Sequence, residues 1–207
     1  MLEFANVSPT KGNLLAAKKS LRLAHMGYDL MDRKRSILVR EMMGLIDKAN
    51  ALRGRIDETY DTAYQSLQRA NMTLGICESI ARSTPIEDGL AISLRSVMGV
   101  ELPTVRLHAE EPGVCYDFGS SNSAFDEAFI RFHRVKLMLA ELAEIENSVF
   151  RLAVAIRKTQ SRANALKNII IPNCDYQTKF ISDALEEKER EEFSRLKVVK
   201  RQREETA

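Results

Sequence analysis

Between residues 14 and 56 apolar side chains recur on a heptad. One row is Leu14, Leu21, Tyr28, Arg35, Met42, Ala49 and Ile56, and a second, three residues on, is Ala17, Ala24, Met31, Leu38, Leu45 and Leu52. Only Arg35 is polar. Spacing that alternates three and four draws a narrow stripe down one side of a helix. A stripe that narrow, kept over many turns, suits a coiled-coil seam rather than a globular core helix. A matching design starts at Ala128, with rows Ala128, Val135, Leu142, Val149, Ile156, Ala163, Ile170 and Met138, Ile145, Leu152, Thr159, Leu166. The two seams predict an all-α-dominated fold, a long antiparallel two-helix coiled coil whose connection lies between them.

Punctuation residues set the expected limits. Ser8 is placed to cap the first helix with Pro9 at its first position, and Thr84-Pro85 to end it. Beyond Ala63 the rows weaken to Ser66, Ala70, Thr73, Cys77 and Ile80. Residues 86–121 change to a period of two: Leu90, Ile92 and Leu94, then Val105 and Leu107, then Val114, Tyr116 and Phe118. With a turn signal at Glu110-Glu111-Pro112-Gly113, this predicts a small β-hairpin or short sheet. Ser123, with Asp126 three residues on, resembles a capping box for the second helix. Pro172 should kink or break that helix, and the heptad rows stop there, filled afterwards by Asn173, Gln177, Glu187, Glu191 and Ser194. The expected organisation is a first long helix over 1–84, a connecting region with short strands over 85–122, and a second long helix over 123–207. In this antiparallel arrangement Arg35 falls level with Pro172. It then either meets the carbonyl freed by the proline or snorkels to solvent. Gly27, Gly44 and Gly54 lie off the rows, as tolerated surface glycines or as a face approached by another chain.

Composition adds direction to this plan. The chain has 207 residues, 29% charged, 6% aromatic and no Trp, which suits helices that bury one stripe and solvate the rest. The net charge of +2 hides a split. Residues 11–55 carry eleven Lys or Arg against four Asp or Glu, and residues 56–125 carry four against ten. Different partners at the two ends are expected. No apolar run reaches the roughly 18–20 residues of a membrane span, and Met1 to Asn6 has no signal-peptide pattern. A soluble, intracellular protein without direct membrane insertion is the expectation. Cys77, Cys115 and Cys174 are odd in number and far apart, which predicts reduced thiols rather than disulfides or a zinc site.

Catalytic patterns are missing. His25, His108 and His133 stand in unlike contexts without ligand spacing, and there is no phosphate-binding glycine loop or nucleophile elbow. No metal, cofactor or catalytic residue is expected, and a basic first helix without interleaved aromatics is not expected to bind nucleic acid. The C-terminal helix instead offers a distributed set of charges. Five Glu and two basic residues over Glu186–Glu192 precede five basic residues and no acid over Arg195–Arg203. Arg190, Arg195, Lys197, Lys200 and Arg201 are the candidate contact residues there.

These residues carry a family resemblance. Pro9-Thr10-Lys11 with Leu14-Leu15, Gly27-Tyr28-Asp29-Leu30-Met31 with Lys34-Arg35, and Val97-Met98-Gly99-Val100-Glu101-Leu102-Pro103 resemble the D subunit of the V-type and archaeal-type rotary ATPases. So do Asp126-Glu127-Ala128, Arg162-Ala163-Asn164-Ala165-Leu166, Ile170-Ile171-Pro172 and the run Glu187 to Lys197. The chain departs from that pattern at Lys188 and at Asn173-Cys174-Asp175. The resemblance implies a non-catalytic central rotor stalk that transmits torque between a hexameric ring of catalytic A and regulatory B subunits and the membrane ion-translocating rotor. It implies the F subunit and a membrane-rotor coupling subunit as further partners. It also implies a peripheral place on the cytoplasmic face, and ATP synthesis or hydrolysis coupled to proton or sodium transport. The F subunit is expected against the weakened seam, at Ser66, Ala70, Thr73, Phe129, Phe132 and Met138, and the ring against the C-terminal charges. A coiled-coil scaffold whose seams pair between two copies is the alternative.

Overall fold

The computed structural model describes residues 8–82, 84, 89–107, 113, 115–117, 119 and 121–205. Its elements are α1 (Lys11–Leu74), α2 (Glu78–Arg82), β1 (Leu90–Val97), β2 (Val100–Leu107), α3 (Ser123–Ala165), a π-helical turn (Leu166–Ile170) and α4 (Ile171–Glu205). The fold is therefore dominated by long helices, with one small antiparallel sheet. The chain divides into two compact units: Met1–Arg35 with Lys158–Ala207, and Ser36–Arg157. The seam is where the heptad placed it. Every residue of the two rows from Leu14 to Ile56 is buried or half-buried.

Helix limits differ from the sequence expectation in instructive ways. The N-terminal cap of α1 is Thr10, whose hydroxyl accepts from the Asn13 N–H at 3.2 Å, rather than Ser8. Ser8 instead lends its carbonyl to the Asn13 amide at 2.8 Å. The cap of α3 is Asn122, which accepts from the Phe125 N–H at 3.0 Å, one residue before the expected Ser123. At its far end α1 stops well before Thr84-Pro85. Gly75 takes φ of +79° while its N–H reaches the Asn71 carbonyl at 3.0 Å. That left-handed residue just past the last turn is the usual glycine stop.

In the terminal unit the helices run antiparallel, as Lys11 to Glu189 at 3.0 Å and Arg35 to Gln160 at 2.6 Å require. Arg35 is therefore level with Gln160 and not with Pro172. Its guanidinium donates to the Gln160 side chain and pairs with Asp32 at 2.6 Å, so the expected meeting with the proline-freed carbonyl does not occur. Pro172 does not break the helical path. The Ile171 N–H bonds to the Leu166 carbonyl, five residues back, closing a π turn just before the proline. A π turn holds one residue more than an α turn, and the apolar stripe shifts by one. The stripe resumes on Ile171, Cys174, Thr178, Ile181 and Leu185, all buried or half-buried, while Phe180 is exposed. The rows that seemed to end at the proline continue one residue out of step.

The second unit has its own core. Leu38, Leu45, Leu52 and Ile56 of α1 meet Ile145 and Leu152 of α3, with Leu102 of β2 wholly buried among them. Each such side chain contributes on the order of 2 kcal/mol of burial. Farther along, Ala63, Ser66 and Ala70 are buried. Their small size allows close helix approach, and the Ser66 hydroxyl is satisfied by the Thr62 carbonyl at 3.0 Å. Tyr116, Phe125, Ala70 and Cys77 form a second cluster.

The hairpin pairs Val97 with Val100 and Leu90 with Leu107. Its two-residue turn, Met98 and Gly99, has φ of 51° and 76°. Positive φ at both positions matches the twist of the flanking strands. The outer edge of β2 is closed by α3: Glu144 accepts from the Val105 N–H at 2.7 Å, and Arg151 donates to the Glu101 carbonyl at 3.1 Å. Pro103 lies on this same edge, where it deprives β1 of no hydrogen bond. The expected third strand is not formed at Cys115–Asp117. Val114, Phe118 and most of the Glu110–Gly113 turn signal lie outside the described residues.

Candidate interaction surfaces

Among the described residues, no group of three or more His, Cys, Asp or Glu side chains could hold a metal ion. No helix there is long and apolar enough to cross a membrane. What the folded chain offers is surface.

The terminal unit presents two kinds of side chain. Arg190, Arg195, Lys197, Lys200 and Arg201 are all exposed on α4. Three are held by carboxylates of their own helix: Arg190 by Glu186 at 3.5 Å, Arg195 by Glu191 at 3.4 Å and Lys200 by Glu204 at 3.8 Å. Between them stand apolar residues that the charge pattern hides, Phe193 (70% exposed), Leu196 (68%), Val198 and Val199. On α1, Leu15 (71% exposed), Leu23, Met26 and Leu30 are likewise uncovered. Their spacing of eight, three and four is a second helical stripe beside the seam. The sequence holds this stripe openly, but the longer and more regular seam masks it. Near the first turn of α1, the Glu189 carboxylate accepts from Lys11 and holds its ammonium pKa above the usual lysine value.

The second unit sorts the six residues expected against the F subunit. Ser66 and Ala70 are covered by the chain itself. The Thr73 hydroxyl donates to the carbonyls of Arg69 and Ala70 and accepts from the Asn122 amide at 2.7 Å. Phe129 packs edge-on to Tyr116, with ring centres 5.4 Å apart. Phe132 meets the half-exposed Tyr64 at 5.5 Å, and Tyr64 stacks on Tyr60 at 5.7 Å. Met138 is half-buried against the Leu38–Leu152 core. The Tyr116 hydroxyl donates to Asp126 at 2.6 Å. Burial first, then that bond, pushes the phenol pKa up to about 12. Asp126 thus serves the connection rather than the expected capping box. On the hairpin, Leu90, Ile92 and Leu94 share one exposed apolar face.

The family model of the ATP synthase D subunit matches residues 13–201, through both units. The chain belongs to the V-type/A-type ATP synthase D-subunit family. Among its relatives, the V-type ATP synthase D subunit of Thermotoga neapolitana is 45% identical over 197 residues, 94% of this chain and 97% of that one. The A-type ATP synthase D subunit of Pyrococcus horikoshii is 37% identical over 207 residues, 97% and 96% of the two chains. Its A-type counterpart in Methanobrevibacter smithii is 32% identical over 94% of this chain and 86% of that one. Membership of this family makes the chain one component of a multi-subunit ATP synthase. Large uncovered apolar side chains on both helices of the terminal unit are what such a component requires.

Proposed function

We propose that the chain is the central rotor stalk of a V/A-type ATP synthase, a non-catalytic subunit on the cytoplasmic face of the membrane. It carries torque between the ring of catalytic A and regulatory B subunits and the ion-translocating rotor, with protons or sodium as the transported ion. The terminal unit works inside the ring. The F subunit lies along the second unit, on what the fold leaves accessible there: Thr73, Phe129, Phe132 and Met138. A coupling subunit joins the stalk to the membrane rotor.

One observation carries this reading beyond family membership. The terminal unit buries its seam within the chain and leaves a second apolar stripe, Leu15 to Leu30, together with Phe193 and Leu196, open to other chains. The seams that a homodimeric scaffold would pair between two copies are packed within one chain in the second unit. The test uses the assembled complex in sealed vesicles. Removing residues 186–207 should lower ion uptake per ATP hydrolysed while the ring continues to hydrolyse ATP. Unchanged coupling would refute the stalk role of this segment.

A further inference from the structure

Between α1 and α3 of the second unit lies an open cavity of about 530 Å³. Three arginines from two helices line it, Arg55 from α1 with Arg131 and Arg134 from α3, and no carboxylate does. Arg131 is already engaged, donating to the Thr62 carbonyl at 2.8 Å and pairing with Glu127. Arg55 and Arg134 are exposed and have no ion-pair partner among the described residues. Elsewhere in this unit guanidiniums find carboxylates readily, as Arg53 does with Glu146 and Arg95 with Glu41. The Thr59 and Thr62 hydroxyls in the wall donate to the carbonyls of Arg55 and Thr59, so the unpaired guanidiniums are the donors left to a visitor. Between the arginines the lining is apolar: Leu137, 38% exposed, and Met138.

We propose that this groove docks a helix of a neighbouring subunit, which presents two carboxylates one turn apart to Arg55 and Arg134 and an apolar side chain to Leu137 and Met138. The guanidinium fork matches a carboxylate in two parallel hydrogen bonds. Residues three or four apart on a helix face the same way, so such a helix can reach both arginines. From Arg55 to Thr62 the α1 wall spans about 10 Å, close to two helical turns. A free phosphate would satisfy the arginines but leave Leu137 and Met138 wet, whereas a helix laid in the groove covers them. The proposal rests on the reading that a neighbouring subunit lies along the second unit, since Met138 belongs to both surfaces, and it is independent of the torque role.

The test takes the whole complex, with photoreactive benzoylphenylalanine in place of Thr59. The expected crosslink joins a helical segment of a neighbouring subunit carrying Asp or Glu three or four residues apart. The double variant Arg55→Glu/Arg134→Glu should weaken retention of that neighbour on the order of a hundredfold, and changing its two carboxylates to Lys should restore it. The melting temperature of the double variant alone should be unchanged, since both arginines are exposed. Arg69→Glu, outside the groove, should leave retention as it was. A crosslink to no protein, or to a segment without paired carboxylates, overturns the proposal. So does normal retention of the double variant. Tight binding of inorganic pyrophosphate to the full chain, lost in the double variant and without any crosslink, would make the groove a small-anion site and also overturn it. A complex that fails to assemble around the unaltered chain would instead count against the proposed function.

Discussion

Tyr116 and Ala70 show how one side chain sets the behaviour of the connecting end. Burial and the bond to Asp126 raise the Tyr116 phenol to about 12, whereas a free phenol ionises near 10. The folded chain therefore holds this proton more tightly than the unfolded chain does. Its stabilising effect is complete below about pH 10 and is lost as the pH rises through about 12. Titration of tyrosinate absorbance should show one ring ionising near pH 12, and Tyr116→Phe should remove that step. If the late step survives the substitution, the hydroxyl is not where the Asp126 bond puts it. Ala70 is wholly buried. Ala70→Arg should destabilise the chain by about 3 kcal/mol or more, because it overpacks the seam and buries an unpaired charge. Denaturant unfolding of the isolated chain is the measurement. A stable Ala70→Arg chain would mean that the seam opens there.

At the scale of elements, the π turn carries the sharpest test. It shifts the stripe so that Ile181 is buried at 1% exposure and Phe180 stands out at 53%. Ile181→Ala should then cost about 2–5 kcal/mol, and Phe180→Ala, an exposed truncation, on the order of 0.5 kcal/mol. The reverse order would mean an α-helical register through Pro172. The seams are legible in the sequence because a heptad is local and repeats, so each turn checks the one before it. The caps are legible only to a residue or two, since Ser8 competes with Thr10 and Ser123 with Asn122, each pair holding two residues of capping type. The register between helices is not legible at all. It depends on the connection, and Gly75 ends α1 earlier than Pro85 suggests, which moves Arg35 from Pro172 to Gln160. The hairpin turn escapes notice because Met98 is not a turn-forming type and Gly99 alone is a weak signal. For the candidate surfaces, the C-terminal charges are exposed as the pattern implies. The small residues Ser66 and Ala70 suggest an opening for a neighbour, yet small seam residues serve equally to let two helices of one chain close. Nothing in the pattern separates those two uses.

Taken as a molecule, the chain keeps its apolar surplus where it has no partner of its own. The second unit packs Leu38 to Ile56 into an internal core and leaves Leu90, Ile92, Leu94 and Phe150 uncovered. The terminal unit leaves Leu15, Leu23, Leu30, Phe193 and Leu196 open. On the proposed function this chain turns among similar neighbours, and it must then hold each of them weakly, because one tight contact would stall it. Exposed charges meet that requirement, as such pairs are typically worth under about 1 kcal/mol each. Arg190, Arg195 and Lys200 are further muted by carboxylates on their own helix. Neutralising any single one of Arg190, Arg195, Lys197, Lys200 and Arg201 should therefore barely change ATP-driven rotation. The apolar side chains have no such internal partner, and each buries more area when a neighbour passes. The double variant Phe193→Ser/Leu196→Ser should lower ion uptake per ATP hydrolysed more than any single charge change, with helicity by circular dichroism unchanged. Both quantities can be read on the same vesicles. If one neutralisation abolished coupling while the apolar double variant did not, torque would pass through a specific ion pair rather than through many weak contacts.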